Sequence, residues 1–140
     1  MTQSPLLYGE PISLDSAKRV AAGAEAEARR NGWPMVIAIV DSTGHLVLLQ
    51  KLDQAQYGSI AVAQQKAQTA VDFRRPSKVF EDAVASGGLH LRMLGMNNLL
   101  PLEGGMPLIV GGKIVGAIGV SGMQSTQDAQ VAQAGAAALA

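Results

Sequence analysis

The apolar positions change period several times along the chain, and each change marks an element. Ala17, Val20, Ala21, Ala24 and Ala28 recur at helical spacing behind Ser13, a residue suited to an N-cap, while Glu25 and Arg29 pair four apart on the polar face. This helix ends near Asn31, where Gly32 suits a left-handed C-cap and Pro34 prevents continuation. Met35 to Val40 (MVIAIV) is an unbroken apolar run of strand length, as expected of a strand covered on both faces. The turn DSTG and a second strand, His45 to Leu52, complete an antiparallel hairpin over 35–52.

A second helix opens at Ser59. Ile60, Ala63, Ala67, Ala70 and Val71 form one apolar stripe for the sheet, and Val62, Lys66, Thr69 and Phe73 form another, so the helix has two faces that avoid solvent. Pro76 ends it, Ser77 offers a new cap, and Val79, Phe80, Ala83 and Val84 describe a short third helix closed by Gly87 and Gly88. LHLRMLGMNNLL, apolar, Met-rich and aperiodic, reads as a connection packed on the core, a ligand or a neighbour. Met106 to Val110 and Lys113 to Val120 are two more strands, joined by Gly111-Gly112 in a tight turn. Gly116 and Gly119 weaken the second of these strands unless a backbone or ligand must come close there. Ser125 and Asp128 resemble a capping box at the start of a last Ala-rich helix through Val131, Ala132, Gly135 and Leu139. Helix, hairpin, two helices, hairpin, helix is not the alternation of a parallel sheet, and it predicts an antiparallel sheet with helices packed on it.

Composition narrows the function classes. The 140 residues, 48% hydrophobic, suit one domain over 1–140 with a substantial core. Eleven basic and eleven acidic residues leave no net charge, which removes the field expected of a nucleic-acid or anionic-membrane binder. Without cysteine there is no disulfide, thiolate nucleophile or sulfur-bound metal. MTQSPLLYGE has neither the cationic start nor the apolar run of a signal peptide, no stretch is long enough to span a bilayer, and the expectation is a cytoplasmic protein.

Several residues carry candidate chemistry. Lys66 and Thr69 project from the second stripe, and Arg74 and Arg75 follow that helix, so cations gather where a carboxylate or propionate would dock; the competing reading is a solvated helix end. In Glu103-Gly104-Gly105 the glycines permit close backbone approach to a ligand and the acid can serve as base, or the segment is a structural bulge. His90, beside Arg92, reads as an acid/base or as a packed histidine. Ser121 and Gly122, with Ser125, sit at a helix amino end that either holds an anion or is simply capped. His45 reads as a hairpin residue, and two histidines so far apart give no metal-binding spacing.

AIVDSTGHLV with LDQAQYGSI, KAQTAVDFRRPSK, and LEGGMPLIVGGKIVGAIGVSGMQSTQDAQVAQAG together resemble the GlcG/HbpS-like family from about Leu14 to the end. The resemblance implies an α+β fold, a profilin-like antiparallel sheet of about five strands flanked by helices, and a homo-oligomer. It implies a small ligand held partly between subunits: heme, another tetrapyrrole or a small carboxylated metabolite. Heme-binding relatives carry an iron-ligating histidine on the first helix, and SLDSAKRVAAGAEAEARRNG has none. Two readings follow. One is a ligand-binding protein using Lys66, Thr69, Arg75, Gly104, Gly105, Ser121 and Gly122. The other is a cofactor-free catabolic enzyme with Glu103 or His90 as acid/base and Lys66 or Arg75 on a carboxylate. A purely structural role for the stripe residues stands beside both.

Overall fold

A computed structural model describes residues 5–139; residues 1–4, part of the stretch read for a signal peptide, and residue 140 lie outside the described residues. The elements run β1 (Leu7–Tyr8), α1 (Leu14–Asn31), β2 (Val36–Asp41), β3 (Leu46–Lys51), α2 (Gly58–Phe73), α3 (Lys78–Ser86), a 3-10 helix (Gly88–Gly95), β4 (Gly105–Val110), β5 (Lys113–Ser121) and α4 (Ser125–Ala137). The fold class is α+β, as expected.

Both hairpins form. β4, β5, β2 and β3 lie side by side in that order, antiparallel throughout. The sheet is nevertheless mixed, because β1 runs parallel to Lys113 and Ile114 of β5. Those two residues already pair with β4, so β1 must use the opposite edge of β5, in line with the end of β2.

Period 2 along β2 divides the core. Ile37 and Ile39 point into the layer of α1 and α4 with Val20, Ala24, Ile118, Val120 and Val131, whereas Val36, Ala38 and Val40 point toward α2 with Ala63, Ala67 and Ala70. All five residues from Val36 to Val40 are buried, so the unbroken apolar run does mark a strand covered on both faces. The α2 layer is built from small side chains, which brings the helix backbone down onto the strands.

Ser13 caps α1 by accepting from the Ser16 amide at 3.2 Å, and Gly32, at φ 71°, ends it. Other caps differ from expectation. Ser59 lies inside the first turn of α2 and accepts from Gln56 and from Ser121. Ser77 stands at the N-cap of α3, as expected, but its side chain does not bond the helix; its hydroxyl accepts from the Gly105 amide at 2.8 Å and donates to the Leu102 carbonyl at 2.6 Å, tying β4 to α3. The capping box of α4 is Gln124 with Gln127, which frees Asp128 to face inward. The Met-rich connection opens as a 3-10 helix with Leu89, Leu91 and Leu94 exposed, and only its end, at Leu99, is buried.

Candidate functional site

Lys66, Gly104, Gly105, Ser121 and Gly122 do come together, at the end of β5 where α2 and α4 meet. Lys66 is only 2% exposed, and its ammonium donates to the Val120 carbonyl at 3.0 Å and to Asp128 Oδ2 at 2.8 Å. Asp128 Oδ1 accepts from the Met123 amide at 3.0 Å, with the Gly122 amide also directed at the carboxylate. Burial raises the Asp128 carboxyl above the ordinary carboxylate range; the Lys66 hydrogen bond and charge, and the two amides, pull in the opposite direction without cancelling it. Ser121 donates to Ser59 at 3.0 Å alongside.

This cluster has the chemistry anticipated for a carboxylate site, a cation and a helix amino end with free amides. The carboxylate that fills it is the chain's own. Lys66 is therefore part of an internal lock, with Ser121 buried beside it and the Gly122 amide turned to the Asp128 carboxylate.

The glycines of the EGG turn are explained by the same packing. A Cβ on Gly104 would fall 2.8 Å from the Lys66 ammonium and 2.7 Å from the Val120 carbonyl oxygen. A Cβ on Gly105 would overlap the Lys66 carbonyl, and one on its cross-strand partner Gly119 would overlap the Ala63 carbonyl and sit 2.5 Å from the Ala67 amide. Close backbone approach is the correct inference at these positions, but what approaches is α2, not a ligand.

The remaining candidates are dispersed. Thr69 donates to the Gln65 carbonyl at 2.8 Å and accepts from the Leu100 amide at 2.9 Å, holding the connection against α2 beside a hollow of about 260 Å³ lined with carboxamides from Gln65, Gln68, Asn97 and Asn98. The Glu103 amide donates to Glu81 at 3.2 Å. His90 is exposed and bonds Ser86 at 3.1 Å near the far end of α3. Glu103 and His90 share no hydrogen bond, and neither lines a hollow described in this structure.

Arg75 alone lies at an open apolar hollow, of about 390 Å³, whose floor is Leu6, Pro76, Met106, Pro107, Ile109 and Ala136, with Arg74 and Gln133 at its margin. Its Nε donates to the Phe73 carbonyl at 2.9 Å and its guanidinium lies 5.9 Å from the Phe80 ring centre, which fixes the side chain and leaves its terminal nitrogens for a partner. Arg74, in the left-handed region at φ 57°, donates to the Leu6 carbonyl at 3.2 Å and lies over Tyr8. No sequence pattern marks this floor, since outward residues of one strand and one helix complete it; Pro107 shows only that β4 is an edge strand. Among the described residues no three His, Asp or Glu side chains cluster to hold a metal, and no helix is long and apolar enough to cross a membrane.

One mixed sheet between α2 on one face and α1 with α4 on the other, with an arginine-rimmed hollow at the end of α2, defines a compact α+β domain of the kind on which small-molecule sites are built. The chain belongs to the HbpS-like family: the model described as haem degrading protein HbpS-like matches residues 12–137. It is 40% identical to protein GlcG of Escherichia coli K12 over 110 residues, covering 79% of this chain and 81% of GlcG. It is similar to the crystal structure of Klebsiella pneumoniae protein ORFY, with TM-score 0.89 and 28% identity over 99% of this chain and 96% of that one. It is also similar to the crystal structure of the PduOC:heme complex, with TM-score 0.83 and 27% identity over 91% and 94%.

The donor set can be tested against heme. α1 carries no histidine, the chain has no cysteine, and His45 and His90 sit on the β2–β3 turn and the 3-10 helix, away from the Arg75 hollow. The only soft donor there is the Met106 thioether. The apolar floor and the arginines suit the body and carboxylates of a tetrapyrrole; the described residues do not supply its iron with an imidazole or thiolate.

Proposed function

We propose that this protein binds a largely apolar small molecule bearing at least one carboxylate, of the tetrapyrrole class or similar in chemistry, at the hollow formed by the end of α2, β4 and α4. The observation that carries this reading is Arg75, held by Phe73 and Phe80 with its terminal nitrogens free, at the rim of an apolar floor. A volume of about 390 Å³ falls in the usual range of ligand sites, ~300–1,000 Å³. The apolar floor favours the ligand body, and the guanidinium fixes its orientation through a bidentate carboxylate contact. The PduOC relative bound to heme supports the class. Self-association belongs to the same reading, and the exposed Leu89, Leu91 and Leu94 of the 3-10 helix support it.

Because binding here runs through the carboxylate and the ring body, iron is dispensable. Titration with hemin and with iron-free protoporphyrin should give saturable absorbance changes for both, with affinities within about tenfold, roughly 1.4 kcal/mol. Saturation by hemin alone, or by neither, would contradict the proposal.

A further inference from the structure

The chain has a single tryptophan, and its surroundings form a third hollow that shares no residue with the Arg75 site. Gly32 in its left-handed conformation turns the chain off α1, the Trp33 amide returns to the Ala28 carbonyl at 2.9 Å, and Pro34 restricts the backbone that follows. The indole is half-buried, packed in part on the main core, so the ring is held in place. The opposite wall is Leu52, Asp53 and Gln54, just after β3, fastened by the Leu52 amide to the Met35 carbonyl at 2.9 Å. Gln54 adopts φ 68°, a left-handed conformation that a glutamine adopts only at a cost.

The hollow measures about 350 Å³ and is completed by Arg29 and Gly32. Arg29 spends its Nε on Glu25 at 2.5 Å, which leaves its two terminal nitrogens as donors. Asp53 is exposed and belongs to none of the four ion pairs among the described residues, so its carboxylate is an open acceptor. The lining thus offers one half-buried indole, one open carboxylate, one carboxamide and one guanidinium whose charge Glu25 already meets. Donors and acceptors around an aromatic face match a molecule with hydroxyls on its edges and C–H groups on its faces.

We propose that this hollow is a saccharide-binding site, with Trp33 under the apolar face of a mono- or disaccharide and Asp53, Gln54 and Arg29 on its hydroxyls. The left-handed Gln54 is retained because it presents the carboxamide to the sugar.

As Trp33 is the only indole in the chain, its emission, excited to the red of the absorption of Tyr8 and Tyr57, reports on this hollow in the full chain. Titrations with D-glucose, D-galactose and maltose should produce a saturable change with at least one sugar, and none with sodium acetate or betaine at equal concentration. Asp53→Ala should weaken that response at least about fivefold, as expected for a lost charge-assisted hydrogen bond, with unchanged far-UV circular dichroism. Gln54→Gly should weaken it as well while raising the melting temperature, since glycine relieves the left-handed cost. No saturable response to any of the three sugars would overturn the proposal. So would full binding retained by both variants.

Discussion

Lys66→Met should destabilise the fold by about 3–5 kcal/mol, the usual cost of removing one partner of a buried ion pair, against the ~5–15 kcal/mol total of an ordinary domain. The methionine fills the space but leaves Asp128, 2% exposed, with a charge that only amide groups face. The loss is therefore one of uncompensated burial more than of a favourable contact. A double variant, Lys66→Met with Asp128→Leu, should recover at least half of the deficit, because an apolar pair of similar volume carries no desolvation penalty. Acid should help the single variant in a defined direction. The folded-state carboxyl is already above its ordinary value of 3.8 and rises further without Lys66. A group raised in the folded state contributes stability that is complete below the unfolded value and lost as pH rises through the folded one. Urea denaturation of Lys66→Met should thus show a deficit that narrows as pH falls toward 4 and widens toward neutrality. A variant as stable as the parent at pH 7 would contradict the buried lock.

The second large effect is expected at Gly119. A Cβ there would overlap the Ala63 carbonyl and press on the Ala67 amide, both parts of the α2 backbone that no rotamer change can move. Gly119→Ala should therefore cost about 3 kcal/mol or more, the upper end of overpacking penalties, because α2 must lift from β5 as a unit. The measured comparison is with Gly112→Ala in the exposed β4–β5 turn. That glycine has φ 76° but open space around it, so the alanine bears only backbone strain of roughly 1–2 kcal/mol. Equal losses at the two positions in thermal or urea denaturation would remove the close-approach explanation.

These two positions also show what the sequence could convey. Local signals were sufficient for α1, whose Ser13 and Gly32 act within one turn of the helix, and for the β4–β5 hairpin, whose turn is written in two adjacent glycines. β1 escaped because two residues carry no period, and its partner lies over a hundred positions away. At the EGG turn the glycines announced close approach without naming the approaching group. At Lys66, its place between apolar neighbours signalled that the cation is not solvated. Its partner Asp128 was concealed by standing three residues after Ser125, where a capping box would place an acid. The carboxylate-binding chemistry was thus legible at the correct residues, and its occupant was not. The Arg75 hollow is the converse case. The arginine was visible, but the floor depends on which residues of β4 and α4 face outward together, a tertiary property.

A closed lock at Lys66 and the EGG turn stands apart from an open hollow at Arg75. The most direct measurement compares iron-free protoporphyrin binding by Arg75→Glu and Glu103→Gln, both at exposed or half-buried positions that the fold tolerates. Arg75→Glu should lose at least about tenfold in affinity, since it replaces a carboxylate partner by a like charge, while Glu103→Gln should bind as the parent does. The reverse pattern, with binding abolished at Glu103 and unaffected at Arg75, would contradict the account and return the site to the EGG turn.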